Sequence, residues 1–176
     1  MFNNKNIYLV GFMATGKTTI GKILAEKLNR RFIDTDREIV RKKKKSIARI
    51  FKIEGEKVFR TMERKEIVRA ARLRDAVVAL GGGALIDERN RKSVYRTGVL
   101  VHLTATTRAI MRRIRNDKTL RPILRNLPHS NFKGRIEYLL KVRRPFYKGA
   151  RIVMDTTGAP PEKTAVRIYK KVKKIL

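Results

Sequence analysis

Gly11-Phe12-Met13-Ala14-Thr15-Gly16-Lys17-Thr18 has the spacing G-x-x-x-x-G-K-[ST] of a phosphate-binding P-loop. Its flanks decide the fold. Ile7-Tyr8-Leu9-Val10 before it is a short apolar run with a β-branched start, which reads as a buried strand. After it, Thr18 to Leu28 reads as a helix with Ile20, Ile23, Leu24 and Leu28 on one face. Strand, glycine loop and helix are what phosphate binding requires. Glycines let backbone N–H groups turn inward, and the unbonded N–H groups and dipole of a helix start add positive potential. Lys17 then reaches the β- and γ-phosphates of a nucleotide, and the Thr18 hydroxyl sits on Mg²⁺. The loop names a nucleotide phosphate. It does not name the acceptor.

Outward from the loop, apolar runs alternate with amphipathic ones. Arg31-Phe32-Ile33, Ala76 to Leu80, Val99 to Leu103 and Ile152 to Asp155 read as further strands. Helices are expected at about 87–95, 107–114, 132–147 and 162–174, the third of these stopped or kinked near Arg144 by Pro145. Ser46 caps a short helix that Gly55 breaks, and a helix resumes from Val58 to Leu73. The alternation predicts an α/β fold with a parallel sheet covered on both faces. A chain of 176 residues is expected to form one domain, 1–176.

Several groups stand where ligands bind in such folds. Asp34 and Asp36 follow the second strand, at the end that lines the ligand crevice. They could hold Mg²⁺ through water and orient an attacking hydroxyl, or simply cap the next helix, and spacing does not choose. Gly81-Gly82-Gly83 after the third strand means close backbone approach to something. Arg60 and Glu63 share a helix face, and the plain reading is an exposed pair of little energetic weight. His102 alternates within a strand and reads as structural. Asn116 to Ser130 lacks periodicity, and a long loop of this kind is expected to be a mobile lid.

Composition excludes some classes. There is no cysteine, so neither a disulfide nor a thiolate metal site can form. No apolar run is long enough to cross a membrane, and the N-terminus does not read as a signal peptide, so a cytoplasmic location is expected. Forty-five Lys and Arg against 15 Asp and Glu leave a formal charge of +30. Such a balance predicts salt-sensitive attraction to polyanions whatever else the protein does.

The motif set resembles the shikimate kinase family over nearly the whole chain. It comprises the loop at 11–18; Phe32-Ile33-Asp34-Thr35-Asp36; Ile50-Phe51, Glu54-Gly55-Glu56 and Phe59-Arg60 with Glu63; Gly81-Gly82-Gly83; Arg121-Pro122-Ile123-Leu124; and Arg143-Arg144-Pro145-Phe146-Tyr147. The resemblance implies a five-stranded sheet of order 2-3-1-4-5 and transfer of a phosphoryl group from ATP to shikimate, giving shikimate 3-phosphate. Catalytic roles then fall to Lys17, Asp36 and Arg121. The nucleotide side comprises Gly11, Met13, Ala14, Thr15, Gly16, Lys17, Thr18 and Thr19, with Arg113, Arg121 and Pro160. Mg²⁺ falls to Thr18 and Asp34, and shikimate to Asp36, Arg60, Gly81, Gly82, Gly83 and Arg143. The implied substrate region is about 34–63 and the implied lid about 116–130, in a monomer with no specific nucleic-acid partner and no membrane.

The chain departs from the family pattern in places. An arginine expected seven residues before Arg121 is matched only by Arg113, eight before, and basic residues replace the usual Arg-Thr-Gly after the acidic motif. One alternative is a kinase for another small hydroxylated carboxylic acid. Another is a nucleotide-binding protein that docks on RNA through its basic surface, although no RNA-binding motif or aromatic stacking platform is present.

Overall fold

The computed structural model describes residues 4–116 and 131–176. Arg121 and nearly all of the expected lid therefore lie outside the described residues.

Five parallel strands form one sheet in the order β2-β3-β1-β4-β5. They are β1 (Asn6–Val10), β2 (Arg31–Asp34), β3 (Ala76–Ala79), β4 (Gly98–Thr104) and β5 (Ile152–Asp155). Seven α-helices are described: α1 (Lys17–Lys27), α2 (Thr35–Lys43), α3 (Ile47–Arg72), α4 (Glu88–Thr97), α5 (Thr107–Asn116), α6 (Phe132–Arg143) and α7 (Pro161–Lys173). The order implied by the family resemblance is the order observed. β1 lies at the centre because both its faces are apolar: all five of its residues are buried.

Alternation along the strands builds two cores. Ile7 and Leu9 face α1 and α7, packing with Ile20, Leu24, Val101, Ile168 and Val172. Tyr8 and Val10 face the other way, packing with Ile67, Ala70, Leu85, Val94 and Tyr147 of the α3 and α4 layer. Truncating a fully buried side chain such as Leu24 to Ala costs about 2–5 kcal/mol. Asn6 joins the layers at the base of the sheet. Its amide donates to Ala70 O and Leu73 O (3.0 and 2.7 Å) and accepts from the Ala76 N–H at 2.9 Å. The end of α3 is thereby fixed to the start of β3.

Two further clusters position the site. Phe12, Ile110, Ile114 and Ile136 tie the glycine loop to α5 and α6. Ile39, Ile50 and Phe59 tie α2 to α3. Ser46 caps α3 as expected, accepting from the Arg49 N–H at 3.3 Å. The break expected at Gly55 is present as a kink inside α3, where Gly55 has φ 83° and ψ 164°. Those angles suit a residue without Cβ.

The stop expected near the end of the 132–147 helix is present. α6 ends at Arg143, and Arg144–Tyr147 forms a 3₁₀ turn. Pro145 has no N–H to continue the α-helical ladder, but its fixed φ suits the first turn of a new helix. Among the described residues, no helix is long and apolar enough to cross a membrane.

Candidate active site

The glycine loop leaves β1 and enters α1 at the C-terminal edge of the sheet. Gly11 needs its φ of 148°, and a Cβ there would lie 2.3 Å from Leu103 O, so no other residue fits. Thr15 turns inward, its N–H and hydroxyl both bonding Phe12 O (3.3 and 2.8 Å). It therefore closes the loop from within. Gly16, with φ 91°, stands at the N-cap of α1 without a side chain to cap it. The first N–H groups of α1 accordingly have no intrahelical acceptor and face the crevice.

Lys17 folds back over this loop. Its ammonium donates to Gly11 O and Phe12 O (2.9 and 3.0 Å). Burial lowers its pKa to about 8, against the pull of Asp36 and Asp34, which favour the charged form. Met13 is half-buried against the α5 and α6 cluster, and Thr19 is exposed on the first turn of α1. Arg113 of α5 spans the far side, donating to Ala14 O at 3.0 Å and to the Thr156 hydroxyl at 3.1 Å, and also bonding Thr156 O. It thus joins the loop to the segment before Pro160, which is exposed and begins α7.

The two aspartates separate into different roles. Asp34 ends β2 and caps α2, accepting from the Arg37 N–H at 3.2 Å. Its other oxygen, Oδ2, accepts from the Thr18 hydroxyl at 2.7 Å. Capping and a place beside Thr18 are therefore both true of one residue. Asp36, the second residue of α2, is not its cap, and its buried Oδ1 has no hydrogen-bond partner. Burial first, then Glu63 and Asp34, raise its pKa to about 7, while Lys17 and Arg60 hold it down.

The Thr18–Asp34 pair is a fit test for magnesium. Mg²⁺ takes one or two hard oxygen ligands from such proteins and the rest from water and phosphate, so these residues suit it. No cluster of three or more His, Cys, Asp or Glu able to hold a metal occurs among the described residues, and Mg²⁺ in a phosphate site needs none.

The three glycines after β3 face the charged groups one by one. A methyl on Gly81 would lie 2.6 Å from Glu63 Oε1 and 2.7 Å from Asp36 Oδ1. One on Gly82 would meet Arg143 Nη1 at 3.0 Å, and one on Gly83 the Arg60 guanidinium at 2.9 Å. Residues 36, 60, 63 and 143 thus converge on one glycine wall opposite the loop. Arg143 also stacks over Phe12, 5.6 Å from the ring centre. Arg60 donates to Glu63 Oε2 at 2.7 Å and to Glu56 Oε1 at 3.1 Å.

The Arg60–Glu63 pair corrects an expectation. It is not an exposed pair, because Glu63 is only 1% accessible. Helical spacing shows that two residues share a face. It does not show that the glycine wall covers that face.

Two other residues carry no sequence signal of their own. The Tyr147 hydroxyl donates to Gly82 O at 2.5 Å and fixes the wall from behind. Burial raises its pKa to about 12, so it remains a donor at neutral pH. His102 stacks on Tyr147, with ring centres 4.6 Å apart. Burial and then Lys17 lower its pKa to about 4 from the ordinary 6.5.

His102 therefore has a structural role with a pH signature. A histidine whose folded pKa is depressed gives stability that is present above its unfolded value and lost as pH falls through the folded one. The window runs from 6.5 down to about 4. His102→Gln, which does not titrate, is expected to show a flatter Tm-against-pH curve in this window than the parent. Parallel curves would mean that His102 is protonated in the folded protein.

Comparison with known proteins bears on the whole chain. The shikimate kinase family model matches residues 13–173. A shikimate kinase of Caldicellulosiruptor saccharolyticus is 41% identical over 164 residues, covering 93% of each chain. The structure of a shikimate kinase from Acinetobacter baumannii in complex with shikimate superposes with a TM-score of 0.90 at 35% identity, covering 99% of this chain and 96% of that one. A shikimate kinase from Aquifex aeolicus gives 0.79 at 28% identity, covering 97% of each.

Proposed function

Because this chain belongs to the shikimate kinase family, we propose how its residues divide the family's reaction among them. That reaction is ATP-dependent phosphorylation of shikimate to shikimate 3-phosphate. Shikimate is a small ring acid with hydroxyl groups, so its site must hold one carboxylate and activate one hydroxyl.

Arg60 and Arg143 hold the carboxylate. A planar guanidinium meets a carboxylate with two parallel hydrogen bonds, and two of them neutralise it fully. Glu63 and Tyr147 keep this clamp in place: Glu63 anchors Arg60, and Tyr147 holds the wall carbonyl beside Arg143. Gly81 to Gly83 leave room for the ring. Asp36 accepts the proton of the attacking hydroxyl. The hydroxyl oxygen then forms its bond to the γ-phosphorus as the bond to the ADP oxygen breaks. Lys17 neutralises charge growing on the β- and γ-oxygens, where a fixed cation acts without reorganising. Thr18, and Asp34 through water, would hold Mg²⁺, which supplies further neutralisation on the same oxygens when bound. Arg113 lies toward the nucleoside side, and Arg121 is assigned to the lid on the family pattern alone.

The observation that carries this reading is Asp36 Oδ1. It is a buried carboxylate oxygen without a partner, in a carboxyl within reach of the charges of Lys17 and Arg60. Buried acceptors are nearly always satisfied, so an unpaired one here calls for a donor that a substrate hydroxyl would supply.

An ADP-release assay against shikimate, quinate, gluconate and no acceptor tests the acceptor directly. Turnover is expected with shikimate and far less with the others; equal rates with gluconate would overturn the assignment. Arg60→Ala and Arg143→Ala test the clamp. Each is expected to raise the shikimate KM at least about tenfold, the loss of a charge-assisted pair, and leave the ATP KM within about twofold. Matching rises in both constants would mean that the arginines support the fold and not the acceptor.

A further inference from the structure

Gly55 bends α3 without any crowding to explain it, since a Cβ there would meet nothing within 4 Å. Its φ of 83° and ψ of 164° lie in a region that belongs to glycine, so the residue serves the path of the chain. Before the bend, Ile50 packs on Ile39 of α2, and Glu54 accepts from Lys43 at 2.7 Å and from Lys45 at 3.2 Å. Two of the basic residues that follow the acidic motif thus fasten the chain just ahead of the bend. After it, Arg60 and Glu63 reach the glycine wall. Glu56, the first residue past the bend, stands about one turn before Arg60 and pairs with it.

Arg60 carries five N–H donors in a planar fork. Its Nε and Nη2 both donate to Glu56 Oε1, at 3.1 and 3.0 Å, and its Nη1 donates to Glu63 Oε2 at 2.7 Å. One further N–H remains on each Nη atom. A methyl on Gly83 would lie 2.9 Å from both of these atoms, so the glycine keeps a hydrogen-bonding distance open in front of them. The bond to Glu63 alone would let the guanidinium plane turn about it. The two bonds to Glu56 stop that rotation.

We propose, resting on the assignment of Arg60 to the acceptor's carboxylate, that Glu56 is a positioning residue: it holds the Arg60 guanidinium so that the two remaining N–H groups meet that carboxylate beside Gly83. Glu56 acts through Arg60 and does not touch the substrate. Its gain is entropic, because a guanidinium already held has less freedom to lose when an anion binds. Stability does not account for the pair. Glu56 is 64% exposed, and an exposed i, i+4 pair adds little. Charge alone does not account for it either. A carboxylate near an anion site repels the anion, so a purely electrostatic Glu56 would weaken binding and its removal would strengthen it.

Steady-state kinetics with shikimate and ATP test this on Glu56→Ala and Glu56→Gln. The control is Glu26→Ala, which removes the same charge from an exposed position at the far end of α1. Glu56→Ala is expected to raise the shikimate KM about threefold to tenfold, the reach of one hydrogen-bonded contact, with kcat and the ATP KM within about twofold of the parent. Its Tm is expected to stay within about 2 °C. Glu56→Gln is expected to remain within about twofold of the parent in every constant, because both contacts go to one oxygen, which an amide also supplies. The control is expected to match the parent. With the methyl ester of shikimate, which presents no carboxylate, Glu56→Ala and the parent are expected to have equal KM values.

An unchanged or lower shikimate KM in Glu56→Ala would overturn the proposal. So would Glu56→Gln behaving like Glu56→Ala, or the same rise in KM with the ester. Arg60→Ala distinguishes the two assignments. A KM raised by Arg60→Ala but not by Glu56→Ala rejects the role of Glu56 only, whereas a KM unmoved by Arg60→Ala rejects the clamp itself. In the double variant, Glu56→Ala is expected to add nothing to Arg60→Ala, and an independent, additive loss would also overturn the proposal.

Discussion

Lys17→Ala is expected to lower turnover at least about a thousandfold while leaving the fold in place. The size of the effect follows from where the ammonium sits. It is half-buried, fixed by two loop carbonyls at 2.9 and 3.0 Å, and beside the two aspartates. In phosphoryl transfer the protein contributes position and charge, so a fixed cation at the β- and γ-oxygens is among its strongest levers. The fold is not at similar risk. Gly11 and Phe12 lose a donor at the open mouth of the crevice, where water can replace it. Removing this partly desolvated cation also relieves its desolvation cost. Tm is therefore expected to move by no more than about 2–4 °C, the equivalent of roughly 1 kcal/mol in a domain of this size. Lys17→Arg is expected to be nearly as inactive, because a branched guanidinium does not fit between those two carbonyls. Steady-state rates with circular dichroism decide the matter. Near-parental turnover in Lys17→Ala, with shikimate as acceptor, would remove the loop from the chemistry.

The glycine loop was legible because its signal is local. Gly11 and Gly16 occupy positive φ, Thr15 bonds three residues back, and α1 begins at once. Each of these depends on neighbours in sequence, so a pattern of eight residues carries it. The buried strands were legible for the same reason, with ends shifted by one residue: pairing extends to Asn6, Asp34, Gly98 and Thr104 beyond the apolar runs and stops short of Leu80. The acceptor half of the site is different. Asp36, Arg60, Glu63, Gly81 and Arg143 come from four separate segments and meet only when β3 lies between β2 and β1. Family resemblance could point to them, but spacing could not.

Two particular failures show the reason. Helical spacing put Arg60 beside Glu63 without showing that the wall at Gly81 to Gly83 covers them. Tyr147 reaches Gly82 because Pro145 turns the chain into a 3₁₀ helix, and a tyrosine after a proline carries no mark of that.

Asp36→Asn is expected to lose about 10²–10⁴ in kcat, the usual range for a general base, with ATP affinity nearly unchanged. Asparagine keeps the size of the side chain and its ability to bond a hydroxyl, so shikimate can still bind. It cannot take the proton. The substitution also separates chemistry from folding. In the parent, Asp36 is buried with one oxygen unpartnered and with Glu63 and Asp34 nearby, an environment that disfavours its charge despite Lys17 and Arg60. A neutral amide escapes that cost, so the variant is expected to melt no lower than the parent, as is common where an active site stores unfavourable electrostatics. A lower Tm together with a higher ATP KM would mean that Asp36 serves to hold α2 against the loop. An unchanged kcat would mean that another group, or the phosphoryl oxygens themselves, accept the proton. Loss of kcat with an equal or higher Tm is the combination that only a proton acceptor at this position produces.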